Sequence, residues 1–244
     1  LANLSAYDFG YIHTSELLER TSDTFKTMNS LERYQGHFFN WYDTQSLQPL
    51  KPLYVSSVDS GNLAGHLLTL KQGFINLPDQ FILGHRLFEG INDTLHILKE
   101  KAGKSVTVHI AQFGKYLNAI LNDQPVTLDY LRECLEKLSS AADENLNEVT
   151  SNTDEEYIIW AKKLSRQCHD AFDELVYLAP WLLDPAISEL LDKYPELNTI
   201  PTLREIAEMD GVKFRLGNAI YNATERIALI DTLVRRSGEF AEVD

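Results

Sequence analysis

Apolar residues recur at spacings of three and four along nearly the whole chain, the signature of helices burying one face. A first helix is expected over residues 14–34, with Thr14 or Ser15 available as N-cap ahead of Leu17 and Leu18. From 36 to 57 the period is lost, and Pro49 and Pro52 interrupt the chain, so loop or short extended structure is expected. Helical spacing resumes over 60–73, then over 84–102, 106–122 and 127–149. In the last of these, Leu128, Leu131, Leu135, Leu138 and Ala142 share a face. The clearest helix covers 154–178, where Tyr157, Trp160, Leu164, Cys168, Phe172 and Leu175 form a stripe that Pro180 ends. Short helices are expected at 185–194 and 202–208. A long one at 214–240 places Ile220, Ala223, Ile227, Ile230 and Val234 together. Only 106–110 and 52–58 compete as strands. The pattern predicts an all-α protein of antiparallel helix pairs.

Composition narrows the partners. The 244 residues are 44% hydrophobic and 24% charged, enough for a proper core. A formal net charge of -14 opposes nucleic acid and anionic membrane surfaces while leaving neutral ligands such as sugars compatible. No apolar run approaches the ~20 residues that span a bilayer, so no direct membrane insertion is expected. The opening LANLSAYDFGYIHTSELLER lacks a signal-peptide pattern and an initiator Met, and the chain reads as a piece of something longer. Cys134 and Cys168 sit in helical patterns as small core residues of a reducing compartment. No HExxH, Cys/His set or phosphate-binding glycine loop is present, so neither a metal site nor a cofactor is expected.

Chemistry concentrates before and at the start of the 60–73 helix. HFFNWYDT, residues 37–44, orders its aromatic and polar side chains in a way that helix amphipathicity does not require. Aromatic faces stack on pyranose rings while amide, carboxylate and imidazole groups bond the hydroxyls. Trp41 and Tyr42 offer the platform, and His37, Asn40 and Asp43 the polar contacts. Equally, Phe38, Phe39 and Trp41 fill a core under a loop while Asp43 caps a turn. A second cluster, Asp59, Ser60 and Asn62, stands where the loop enters the helix. There, unpaired backbone N–H groups either meet a ligand oxygen or are simply capped. Gly61 and Gly65 allow close approach of a backbone or a ligand.

The stretch RYQGHFFNWYDTQSLQPLKPLYVSSVDSGNLAGHLLTLKQG closely resembles cyclic β-1,2-glucan synthases at the start of their glycosidase-like (α/α)-barrel domain. YDFGYI at 7–12 and WAKKLSRQCHDAFDELVYLAPWL at 160–182 also look like segments of that family. Ser57 replaces the family's usual Thr, and Phe39 falls at a variable position. The resemblance implies a partial (α/α) barrel beginning in 1–76 and further helices of the same domain at 153–244, while 77–152 matches no family segment and is expected to be a helical insertion. It implies a β-1,2-glucan ligand used in transglycosylation and ring closure, held by His37, Asn40, Trp41, Tyr42, Asp43, Asp59, Ser60 and Asn62. The catalytic carboxylates are expected outside this chain, so Asp43 and Asp59 are not assigned as acid and base. The parent is expected to be a bacterial inner-membrane protein with this segment soluble on the cytoplasmic side. Its other domains, or a second copy covering exposed apolar helix faces, are the expected partners. The alternatives are a non-catalytic helical scaffold that docks those domains and, more remotely, an independent lyase or glucoamylase-like enzyme.

Overall fold

The computed structural model describes residues 1–103, 107–148, 154–209 and 216–242, with Ile187 through its backbone alone. Helices take up 74% of the residues and strands 4%, which makes the protein all-α. Among the described residues ten α-helices follow in order: α1 (Ala2–Asp8), α2 (Thr14–Ser30), α3 (Ser57–Asn76), α4 (Arg86–Ala102), α5 (Val108–Asn122), α6 (Leu128–Asn147), α7 (Glu155–Leu178), α8 (Ile187–Lys193), α9 (Leu203–Glu208) and α10 (Gly217–Ala241). Short 3-10 turns at Leu77–Asp79, Pro180–Leu183 and Pro195–Asn198 each carry proline at the start, where its missing N–H matters least.

Side-chain caps mark the starts of α3, α5, α6, α7 and α9. Ser56, Thr107, Thr127 and Asp154 accept backbone N–H groups at the heads of α3, α5, α6 and α7, each worth about 0.5–2 kcal/mol. Thr202 and Glu205 form a reciprocal capping box on α9. α2 starts without such a cap, as do α1, α4, α8 and α10. His13 occupies its N-cap without a side-chain cap bond, and Ser15 donates instead to Glu174 at 2.8 Å. The expected capping by Thr14 or Ser15 is therefore corrected.

α2, expected as the first helix, also ends at Ser30, earlier than expected, because residues 33–38 form a small hairpin. Strands β1 (Arg33–Tyr34) and β2 (His37–Phe38) pair antiparallel around Gln35 and Gly36, which have φ of 49° and 83°. Two consecutive positive φ values are what a tight two-residue hairpin turn demands. The 52–58 stretch forms no strand, and its last residues open α3. Residues 108–110 are helical, while 106, 149 and 214, where three helix bounds were expected, lie outside the described residues.

One apolar cluster joins residues of α2 through α7, α9 and α10. α7 packs against α4, α6 and α10, and α10 in turn lies along α3, α9 and α2. The expected stripe of α6 is buried throughout. On α10 the buried line runs through Ala219, Ala223, Arg226, Ile230 and Leu233, while Ile220, Ile227 and Val234 are only partly covered. Cys134 and Cys168 are buried, unpaired thiols, and burial raises the pKa of each. The turn after α1 rests directly on α4. Gly10 has φ of 71°, and a β-carbon on Gly90 would come within 2.3 Å of the Gly10 carbonyl oxygen. Only glycine at position 90 allows that approach.

Candidate functional site

The hairpin and the loop behind it are fastened to the head of α3 by side chains. Asn40 Nδ2 donates to Asp59 Oδ2 at 2.6 Å, while its Oδ1 accepts from the Ser56 backbone N–H at 2.9 Å. His37 Nδ1 lies 3.1 Å from Ser60 Oγ. His37, Asn40, Asp59 and Ser60 face a pocket of about 180 Å³ whose apolar floor includes Phe38, Leu63 and Phe240. That is below the ~300–1,000 Å³ common for enclosed ligand pockets, so the space suits one small ring rather than a chain. Its walls offer carboxylate, amide, imidazole and hydroxyl groups, the set that hydrogen-bonds a polyol.

Trp41 follows the pocket residue Asn40 in the chain, does not itself line the pocket, and is 52% exposed. Its ring stacks on that of Tyr54, itself 53% exposed, with centroids 5.9 Å apart and planes 25° from parallel. The pair is held in register by backbone bonds from Asn40 N to Tyr54 O and from Leu50 N to Trp41 O, both 2.9 Å. Tyr54 was missed in the sequence reading, since only its place in an irregular proline-bearing stretch marks it.

Tyr42 and Asp43 have other partners. Tyr42 Oη donates to the Glu32 carbonyl at 2.7 Å and accepts from Phe39 N–H at 2.8 Å, locking loop to hairpin. Asp43 Oδ1 accepts from Ser46 N–H, Ser46 Oγ and Gln45 N–H at 2.7, 2.8 and 3.1 Å, folding its own turn. Those bonds, the Ser46 backbone first, hold its carboxyl below the usual carboxylate range. It is ionised at neutral pH, not poised to give a proton. Asn62 is exposed on the next turn of α3 beyond Asp59. Around Gly61 and Gly65 there is open space, with no other atom within 4 Å of an added β-carbon.

A larger cleft, about 800 Å³, opens among α2, α7 and α10. At its base Arg226 Nη2 donates to Glu174 Oε2 at 2.8 Å, and Nη1 reaches the other carboxylate oxygen. Ser15 bonds both partners, and the Arg226 guanidinium sits 4.5 Å over the Tyr177 ring. Burial alone would raise the Glu174 pKa, but the neighbouring His13 imidazole and the Arg226 guanidinium outweigh it and hold the value at about 2. His13, placed between Glu174, Glu16 and Asp170, is raised despite its burial. None of these residues carried a local sequence signal, because their partners lie far apart in the chain.

Among known proteins, the chain is 33% identical over 190 residues to the cyclic beta-(1,2)-glucan synthase NdvB of Rhizobium meliloti (strain 1021). The similarity supports a family relationship with the cyclic β-(1,2)-glucan synthases. It covers 69% of this chain but only 6% of that much longer relative. No protein-family model matches the chain. Among the described residues no helix is long and apolar enough to cross a membrane, although the synthase relationship is with a protein of far greater length.

Proposed function

We propose that this chain supplies one wall of a β-1,2-glucan binding cleft within a larger glucan-processing protein, serving transglycosylation and ring closure there. The observation that carries this reading is the exposed Trp41–Tyr54 pair, joined through Asn40 to the polar pocket of His37, Asn40, Asp59 and Ser60. One glucose unit fits the pocket and a neighbouring unit lies on the rings, whose flat faces match the C–H face of a pyranose. In this reading the chain starts a partial (α/α) barrel in 1–76, with 77–152 inserted and 153–244 completing its helices. The catalytic carboxylates come from outside it, and the segment stands on the cytoplasmic side of the inner membrane. The test is a titration with linear β-1,2-gluco-oligosaccharides followed by tryptophan fluorescence. Saturable change that disappears in Trp41→Ala supports the reading. An unchanged response in that variant, or none in the parent chain, refutes it.

A second reading, docking to other domains of the same protein or to another copy, is favoured by the outer face of α3. Val58, Gly61, Gly65 and Leu68 follow one another at three- and four-residue steps and are all exposed. Glycines on an open helix face let a second helix approach closely. Docking and sugar binding use different sides of α3 and are compatible.

A further inference from the structure

The cleft among α2, α7 and α10 holds a constellation that the glucan reading does not use. One ring nitrogen of His13, one carboxylate oxygen of Glu16 and one of Asp170 all lie within 4.8 Å of one another. His13 is the N-cap of α2, Glu16 lies in its first turn, and Asp170 sits on α7 one turn before Glu174. Each carboxylate is also steadied by an arginine, Glu16 by Arg20 and Asp170 by Arg166.

The imidazole makes this more than an acidic patch. The His13 side chain keeps only 17% of its surface, and its Nδ1 is shut off from solvent without a well-formed hydrogen bond. That nitrogen lies 3.3 Å from Glu174 Oε2, a carboxylate 2% exposed and fixed by Arg226 and Ser15. A histidine that binds a metal characteristically turns its second nitrogen toward a carboxylate or carbonyl, which sets the tautomer and strengthens the donor. Here Glu174 stands in that place, on a rigid, buried support.

We propose that His13, Glu16 and Asp170 bind a divalent transition-metal ion of the zinc class, with Glu174 orienting His13 from behind. With Nδ1 turned to Glu174, Nε2 serves as the donor. One neutral imidazole and two carboxylates balance the charge of a dication. The mixed nitrogen and oxygen set suits zinc, cobalt or manganese better than calcium or magnesium, which prefer oxygen alone. Three protein donors leave a tetrahedral ion at least one position for water or a ligand in the cleft.

The experiment uses the 244-residue chain freed of metal with chelator. Zn²⁺ binding is measured by calorimetry and Co²⁺ binding by its visible absorption. One ion per chain is expected, with a rise in Tm. His13→Gln and Asp170→Asn should each weaken binding at least tenfold, and Glu136→Gln, a carboxylate elsewhere on α6, should leave it unchanged. Helical circular dichroism identifies any variant that fails to fold, and Asp170→Asn at its half-buried position then stands in for His13→Gln. Absence of saturable binding overturns the proposal. So does binding that persists undiminished in both variants, or that takes several ions with equal weakness.

Discussion

Arg226 of α10 closes on Glu174 of α7 through both terminal nitrogens, the most deeply buried ion pair among the described residues. Removing one partner strands the other charge in the interior, which destabilises by about 3–5 kcal/mol. Arg226→Ala and Glu174→Ala are therefore expected to lose that much in urea unfolding. Replacing both at once with apolar residues of similar size, Arg226→Met with Glu174→Leu, is expected to lose much less. If each single variant unfolds like the parent chain, the pair is not what ties α10 to α7.

Two helical glycines are expected to respond in opposite senses to the same substitution. Gly90→Ala drives a β-carbon into the Gly10 carbonyl and should destabilise by about 1–3 kcal/mol, the usual range for overpacking. Gly65→Ala meets nothing within 4 Å and should stabilise α3 by about 0.5–1 kcal/mol. Thermal unfolding of the two variants side by side checks the contrast. In the full-length parent, the docking reading predicts that Gly65→Ala turns from helpful to harmful.

The helices were legible because their apolar faces keep a three-and-four rhythm over many turns, as in α6 and α7. Their ends were less so. The stop of α2 depends on Gln35 adopting a positive φ, which a Gln-Gly pair does not announce, and its start depends on a buried contact from Ser15 to Glu174. Local order in 37–44 did mark out the segment from which His37 and Asn40 reach the head of α3. It could not tell that Asp43 turns back on Ser46 while Tyr54 joins Trp41, since a side chain's direction is decided by the fold around it. His13, Glu174 and Arg226 each looked like ordinary helix residues, and only tertiary packing brings them together.

Asp43 gives the loop a sign-defined response to acid. Its carboxyl is held below its unfolded value, so the folded form binds fewer protons in that window, and the stabilisation is complete above the unfolded pKa of ~3.9. It is lost as the pH falls through the lower folded value. The fluorescence contributed by Trp41, isolated against Trp41→Phe, should be flat from neutral pH down to about 5 and change only below the ordinary carboxylate range. Asp43→Ala should abolish that acid step because its turn is already loosened. A step centred near neutrality would contradict the turn-closing role.

Asn40 is the joint between loop and helix, and its chemistry makes a rescue experiment available. Asn40→Asp removes the donor to Asp59 and sets two carboxylates against each other, while an oxygen remains to accept the Ser56 N–H. Because the pair is near the surface, the loss in stability should be only about 1 kcal/mol. The effect on oligosaccharide affinity should be larger, since the pocket walls are pushed apart. Adding Asp59→Asn returns a single amide and a single carboxylate to the joint with their roles exchanged, so the double variant should recover most of the sugar response. Fluorescence titration of the parent chain, both single variants and the double variant measures this. Recovery in the double variant would show that the amide–carboxylate contact positions the pocket. A double variant as impaired as Asn40→Asp would mean that the amide at position 40 itself meets the ligand.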